Sequence, residues 1–133
     1  MRYVQSVLAV LAVSAAGAIP SQAQNADPVP KRDACFFSSQ FQGWRAPNDK
    51  TIIIRVGINR FYRLDLAASC HTLTAPNAHL INRIRGSDVI CRPLDWELMV
   101  DTSPGGFAQA CIVREMTQMN RDEVAALPAK YRP

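Results

Sequence analysis

The chain has 133 residues, 48% of them hydrophobic and 20% charged, with a formal net charge of +4. That length supports one domain with one core and leaves little room for a second. So small a positive excess does not mark a nucleic-acid binder; it favours at most a weak attraction to anionic surfaces.

Residues 1–23 carry the three parts of a secretory signal. Arg2 is a short positive region, Tyr3 to Ile19 is an uncharged apolar stretch, and Ser21 and Ala23 are the small residues a signal peptidase reads. Cleavage is expected between Ala23 and Gln24. An apolar stretch of about 17 residues is at the lower limit for a membrane span, and Pro20 suits cleavage better than anchoring. No Cys lies near the site, which argues against a lipid anchor. Removing residues 1–23 from 133 leaves 110, with 14 basic against 11 acidic residues, a net charge of +3. Residues 24–33, with Pro28, Pro30 and Lys31-Arg32, read as a flexible lead, and the folded domain is expected over residues 34–133.

Cys35 to Arg45, with Phe36, Phe37, Phe41 and Trp44, predicts a strand, and Ala46 to Lys50 a turn around Pro47. The clearest signal follows. Ile52, Ile54, Val56 and Ile58 alternate with Thr51, Ile53, Arg55 and Gly57, and Tyr62, Leu64 and Leu66 alternate with Phe61, Arg63 and Asp65. Period two marks half-buried strands. Keeping both apolar sets on one face predicts a hairpin pairing Val56 with Tyr62, Ile54 with Leu64 and Ile52 with Leu66. Ile58-Asn59-Arg60 would be its loop, with Asn59 or Arg60 at positive φ. Residues 69–79 read as loop, Leu80 to Arg85 as a possible short strand and Gly86-Ser87-Asp88 as a turn. In the next run Leu94, Trp96, Leu98 and Val100 point inward and Asp95, Glu97, Met99 and Asp101 outward, with Pro93 marking a bulge or a sheet edge. Ser103-Pro104-Gly105-Gly106 is a turn, and Ala108 to Met116 the last strand. Asn120 and Glu123 have the spacing of a capping box, Met119 and Val124 that of a hydrophobic staple, and Pro128 stops the short helix they begin.

The four cysteines, Cys35, Cys70, Cys91 and Cys111, all follow the cleavage site. An even number in a small exported domain reads as two disulfides. Three connectivities are possible and spacing does not choose among them. Cys70 with Cys91, closing a loop that carries Pro76 and Gly86, and Cys35 with Cys111, tying the start of the domain to its last strand, are the expected pairs. No C-x-x-C occurs that would suggest a redox or haem site.

The residues with chemical potential also have plain readings. Asp95, Glu97 and Asp101 share one strand face and could supply paired carboxylates for acid–base work, although a solvated face paired with Arg55 or Arg63 would look the same. His71 and His79 match no metal-ligand spacing. There is no G-x-S-x-G, and Gly105-Gly106 lacks the Lys and helix of a phosphate loop. Arg55, Arg60 and Arg63 cluster on the hairpin and are the candidate binding patch for an anionic partner. No catalytic residue, metal or cofactor is implied.

Several runs resemble a family of small exported bacterial proteins known as domain of unknown function number 6491. They are Cys35-Phe36, Gly43-Trp44-Arg45-Ala46, Phe61 to Leu66, Cys70, Ile90-Cys91, Cys111-Ile112-Val113 and Asp122 to Leu127. The resemblance implies a periplasmic setting, since this chain lacks the lipobox of lipid-anchored members; it implies no activity, substrate or cofactor. The expected fold is mainly β: a small antiparallel sheet, as a sandwich or partly open barrel, with one short C-terminal helix and two disulfides. The expected function is a non-enzymatic periplasmic protein that binds another envelope component, not nucleic acid. The alternative is a small hydrolase or metal-dependent enzyme using Asp95 and Glu97 or His71 and His79.

Overall fold

A computed structural model describes residues 35–103 and 105–133. The signal and lead expected over residues 1–33 lie outside the described residues, as does Pro104 of the expected turn.

The fold is mainly β, in three small antiparallel sheets. Strand β1 (Phe36–Phe37) pairs with β6 (Val89–Ile90). Strands β2 (Phe41–Asn48), β3 (Thr51–Val56), β4 (Arg60–Leu66) and β9 (Val113–Met119) form a four-stranded sheet in the order β2-β3-β4-β9. Strands β5 (His79–Ile84), β7 (Trp96–Asp101) and β8 (Gln109–Ala110) form the third, in the order β5-β7-β8. The sheets do not close into a barrel.

The β3–β4 hairpin keeps the expected faces but shifts by two residues. Ile52 lies opposite Leu64, Ile54 opposite Tyr62 and Val56 opposite Arg60. The loop is therefore Gly57-Ile58-Asn59, and Arg60 belongs to β4. A shift of two leaves every side chain on its own face, so burial alone does not select between the registers. The turn does: Gly57 takes φ +60°, and no non-glycine described residue has positive φ. Glycine has no Cβ to clash there.

Ile53 faces away from the main core, as its parity requires, yet it is only 1% exposed. The C-terminal segment packs on that side of the sheet. Its turn Ala129–Tyr131 lies against β2, and a Cβ on Gly43 would sit 3.7 Å from that of Pro133. Helix α1 (Arg121–Ala126) begins as its sequence predicts. Asn120 Oδ1 accepts from the Glu123 N–H at 2.9 Å, and Glu123 Oε2 accepts from the Asn120 N–H at 2.7 Å. The Arg132 guanidinium donates back to the carbonyls of Leu127 (3.0 Å) and Ala125 (3.2 Å), satisfying free acceptors at the helix end.

Three boundaries differ from expectation. The first strand is broken by a 3₁₀ turn at Ser38–Gln40, where Gln40 Oε1 accepts from the Phe37 N–H. Strand β2 runs on through Pro47, leaving only Asp49 and Lys50 as the turn; Pro47 sits on an edge strand where the β2–β3 register shifts between Arg45 and Asn48, a place that tolerates its missing N–H. The last strand divides into β8 and β9 at Cys111-Ile112. At this corner the Cys111 N–H donates to Leu98 of β7 and the Ile112 carbonyl accepts from Ala67, just beyond β4. One run of chain thus leaves one sheet and enters another, as strands do at the corners of crossed sheets.

The disulfides are Cys35–Cys91 and Cys70–Cys111, which corrects both expected pairs. Strand pairing, and not loop closure along the chain, sets which cysteines meet. The β1–β6 register, Phe36 opposite Ile90, sets Cys35 directly across from Cys91, with their Cα atoms 4.2 Å apart. Cys70 follows β4, anchored by its N–H on the Asp49 carbonyl, and meets Cys111 at the corner with Cα atoms 5.6 Å apart. The two bridges interlace. They join elements of all three sheets around one core that includes Phe36, Ile54, Tyr62, Leu64, Trp96 and Val100.

Candidate functional site

The residues first singled out for chemistry are mostly engaged in holding the fold. Pro93 begins a 3₁₀ turn, Pro93–Asp95, so Asp95 is not on the β7 face with Glu97 and Asp101. Asp95 Oδ2 accepts from the backbone N–H groups of Cys91 and Arg92, both at 2.8 Å. Glu97 pairs with Arg85 at 3.2 Å, while the suggested partners Arg55 and Arg63 lie in the other sheet. Asp101 stands opposite His79 across β5 and β7. His71 is an exposed residue 3.5 Å from Asp49. Among the described residues no group of three His, Cys, Asp or Glu side chains could hold a metal ion.

The three arginines of the expected patch are divided between the two faces of the hairpin. Arg60 shares the parity of Tyr62 and Leu64 and donates to the Cys35 carbonyl (3.1 Å) and Gln40 Oε1 (2.8 Å), tying β4 to the β1 end. Arg63 lies on the opposite face and pairs with Asp65 at 3.0 Å. Arg55 shares that face; its Nε is buried and has no partner among the described residues.

The structure points instead to the corner. The turn Pro93–Asp95 lies against the start of β9, and between them is a hollow of about 280 Å³. Arg85, Pro93, Leu94, Trp96, Ala110 and Ile112 line it. Leu94 is 77% exposed and Ile112 69%, although both are large and apolar. Local geometry forces this. The capped turn lifts Leu94 out of the β7 alternation, which corrects its expected inward position. Cys111 and Val113 are both buried, so the residue between them must face out. The Arg85–Glu97 ion pair stands beside the apolar surface. A second, more polar hollow of about 480 Å³ lies between β2 and the turn His71–Thr74, with Trp44, Arg45 and Tyr131 in its walls.

Two polar groups of the core sit among its aromatic rings. Phe36 packs on Tyr62, with centroids 5.0 Å apart, and edge-on to Trp96 at 5.7 Å. Trp96 Nε1 is buried without a partner among the described residues, and the Tyr62 hydroxyl is buried beside the Arg60 guanidinium. Burial raises the Tyr62 phenol above its ordinary value of 10.0, and the nearby Arg60 guanidinium partly opposes the rise.

Sequence reasoning missed the Leu94–Ile112 surface. Half of it was signalled: three successive apolar residues, Cys111-Ile112-Val113, in an extended run must turn the middle one away. The other half needed the turn at Pro93.

The fold and this surface define a small antiparallel β domain, closed by two interlaced disulfides, with an apolar hollow at its sheet corner. The chain belongs to the family of unknown function DUF6491, whose profile matches residues 1–132. No curated protein and no solved structure matches it.

Proposed function

We propose that the chain is exported to the periplasm, loses residues 1–23, and acts there as a non-enzymatic interaction protein. Its docking surface is the hollow between the Pro93–Asp95 turn and the Cys111-Ile112 corner, and its ligand is an apolar segment of a partner protein. One observation carries this reading: Leu94 and Ile112, both largely exposed, flank the same hollow. Large apolar side chains gathered around a concave surface mark interaction sites. Covering the pair would contribute about 3–6 kcal/mol before the costs of association, which suits a reversible contact. Two disulfides fit an oxidising compartment, and no helix among the described residues is long and apolar enough to cross a membrane. The engagement of Asp95 and Glu97 in local bonds favours binding over catalysis.

The test is crosslinking in the periplasm from a photoreactive residue at position 112, with the exposed position 130 as control. A discrete adduct with another protein, formed from 112 but not 130 and lost in Leu94→Asp, is expected. Equal adducts from both positions, none from 112, or an adduct of the chain with itself would overturn the reading.

A further inference from the structure

The two disulfides are unequally placed. Cys70 and Cys111 are 1% and 2% exposed, inside the corner where two sheets meet. Cys35 and Cys91 are only partly buried, at the end of a ladder two residues long. Besides this ladder, the Ser38 N–H donates to the Asp88 carbonyl, and Phe36 and Ile90 share the core. A two-stranded ribbon of this length does not hold itself together in water, so beyond the Phe36 and Ile90 packing and the Arg60 bond to Cys35, the covalent bond is what keeps β1 on β6. Beneath it, Phe36 covers Tyr62 and Trp96; the Trp96 indole N–H has no partner among the described residues, and the Tyr62 hydroxyl is buried near Arg60. Lifting β1 would let water reach both groups, which offsets part of the cost of exposing Phe36.

We propose that Cys35–Cys91 is a thiol–disulfide exchange site. An external dithiol opens it while Cys70–Cys111 stays closed, and opening releases β1 from β6. The charges around the bridge set a direction. The Arg60 guanidinium is bonded to the Cys35 carbonyl, whereas the Asp95 carboxylate, with the Arg92 guanidinium 3.9 Å away, is bonded to the Cys91 N–H. A nearby cation stabilises a departing thiolate and a carboxylate opposes one. The incoming thiolate therefore attacks Cys91 Sγ; the bond to Cys35 breaks, and Cys35 leaves as thiolate and takes up a proton. The second thiol of the reductant then attacks the mixed disulfide and releases Cys91. Two electrons and two protons pass from the dithiol, which becomes a disulfide, to the two cysteines.

Native, oxidised protein is treated with dithiothreitol, and the freed thiols are alkylated and located by mass spectrometry. Cys35 and Cys91 are expected to become labelled at least about tenfold faster than Cys70 and Cys111, because exchange depends on access to the bond. In a Trp44→Phe background, Trp96 fluorescence should shift to the red in the same fast phase. With the monothiol glutathione, the adduct should form on Cys91 and leave Cys35 free. In the Cys35→Ala/Cys91→Ala variant the fast phase should vanish. Labelling of all four cysteines at one rate, resistance of all four until denaturant is added, or a glutathione adduct on any other cysteine would overturn the proposal.

Discussion

Replacing both Cys70 and Cys111 with alanine tests how the sheets are held together. The bridge spans a sequence separation of 41 residues. The chain-entropy relation assigns a loop of this size about 4 kcal/mol of stabilisation, through its constraint on the unfolded chain. Because the bridges interlace, Cys35–Cys91 already shortens the effective loop. The dependence is logarithmic, so this changes the figure by only about a few tenths of a kcal/mol. Both sulfurs are buried, and the cavity left by their loss adds about 1 kcal/mol. The sum is a large share of the roughly 5–15 kcal/mol that holds a typical domain. Urea unfolding followed by tryptophan fluorescence should show a midpoint far below that of the oxidised parent. The m-value should be steeper, because the freed unfolded chain exposes more surface. A loss under about 1 kcal/mol would refute the reasoning, since it would mean that the corner holds without its covalent pin.

Asn120→Ala removes the acceptor for the Glu123 N–H and should cost about 1 kcal/mol, read from the urea midpoint. Tyr62 makes stability depend on alkaline pH. Its folded pKa is raised, so the unfolded phenol ionises first; stability from this group is level below pH 10.0 and falls as pH rises above it. Tyr62→Phe should remove that alkaline loss. Urea titrations of parent and variant at neutral and alkaline pH check both statements.

What was legible in the sequence was local. Alternation through Ile52–Val56 and Tyr62–Leu66 sets which side chains enter the core, because side chains in a strand point to opposite faces in turn. It does not set the register within steps of two; that depends on Gly57 taking a conformation open chiefly to glycine. Asn120 and Glu123 announce the helix because both halves of the capping box lie within four residues. The disulfides could not be read this way. Cys35 meets Cys91 through a two-residue pairing between distant strands, and Cys70 meets Cys111 only once two sheets share a corner. Leu94 faces out because strand alternation does not carry back through Pro93 into a 3₁₀ turn. The docking surface joins that turn to Ile112, in another part of the chain, and exists only in the assembled fold.

The proposed function requires a chain that leaves the cytoplasm, loses its leader and is then locked by two particular bridges. Non-reduced mass spectrometry of protein recovered from the periplasmic fraction addresses this most directly. It should find a chain beginning at Gln24, with Cys35 joined to Cys91 and Cys70 to Cys111. A chain still carrying residues 1–23, free thiols at the four cysteines, or any other pairing would contradict it.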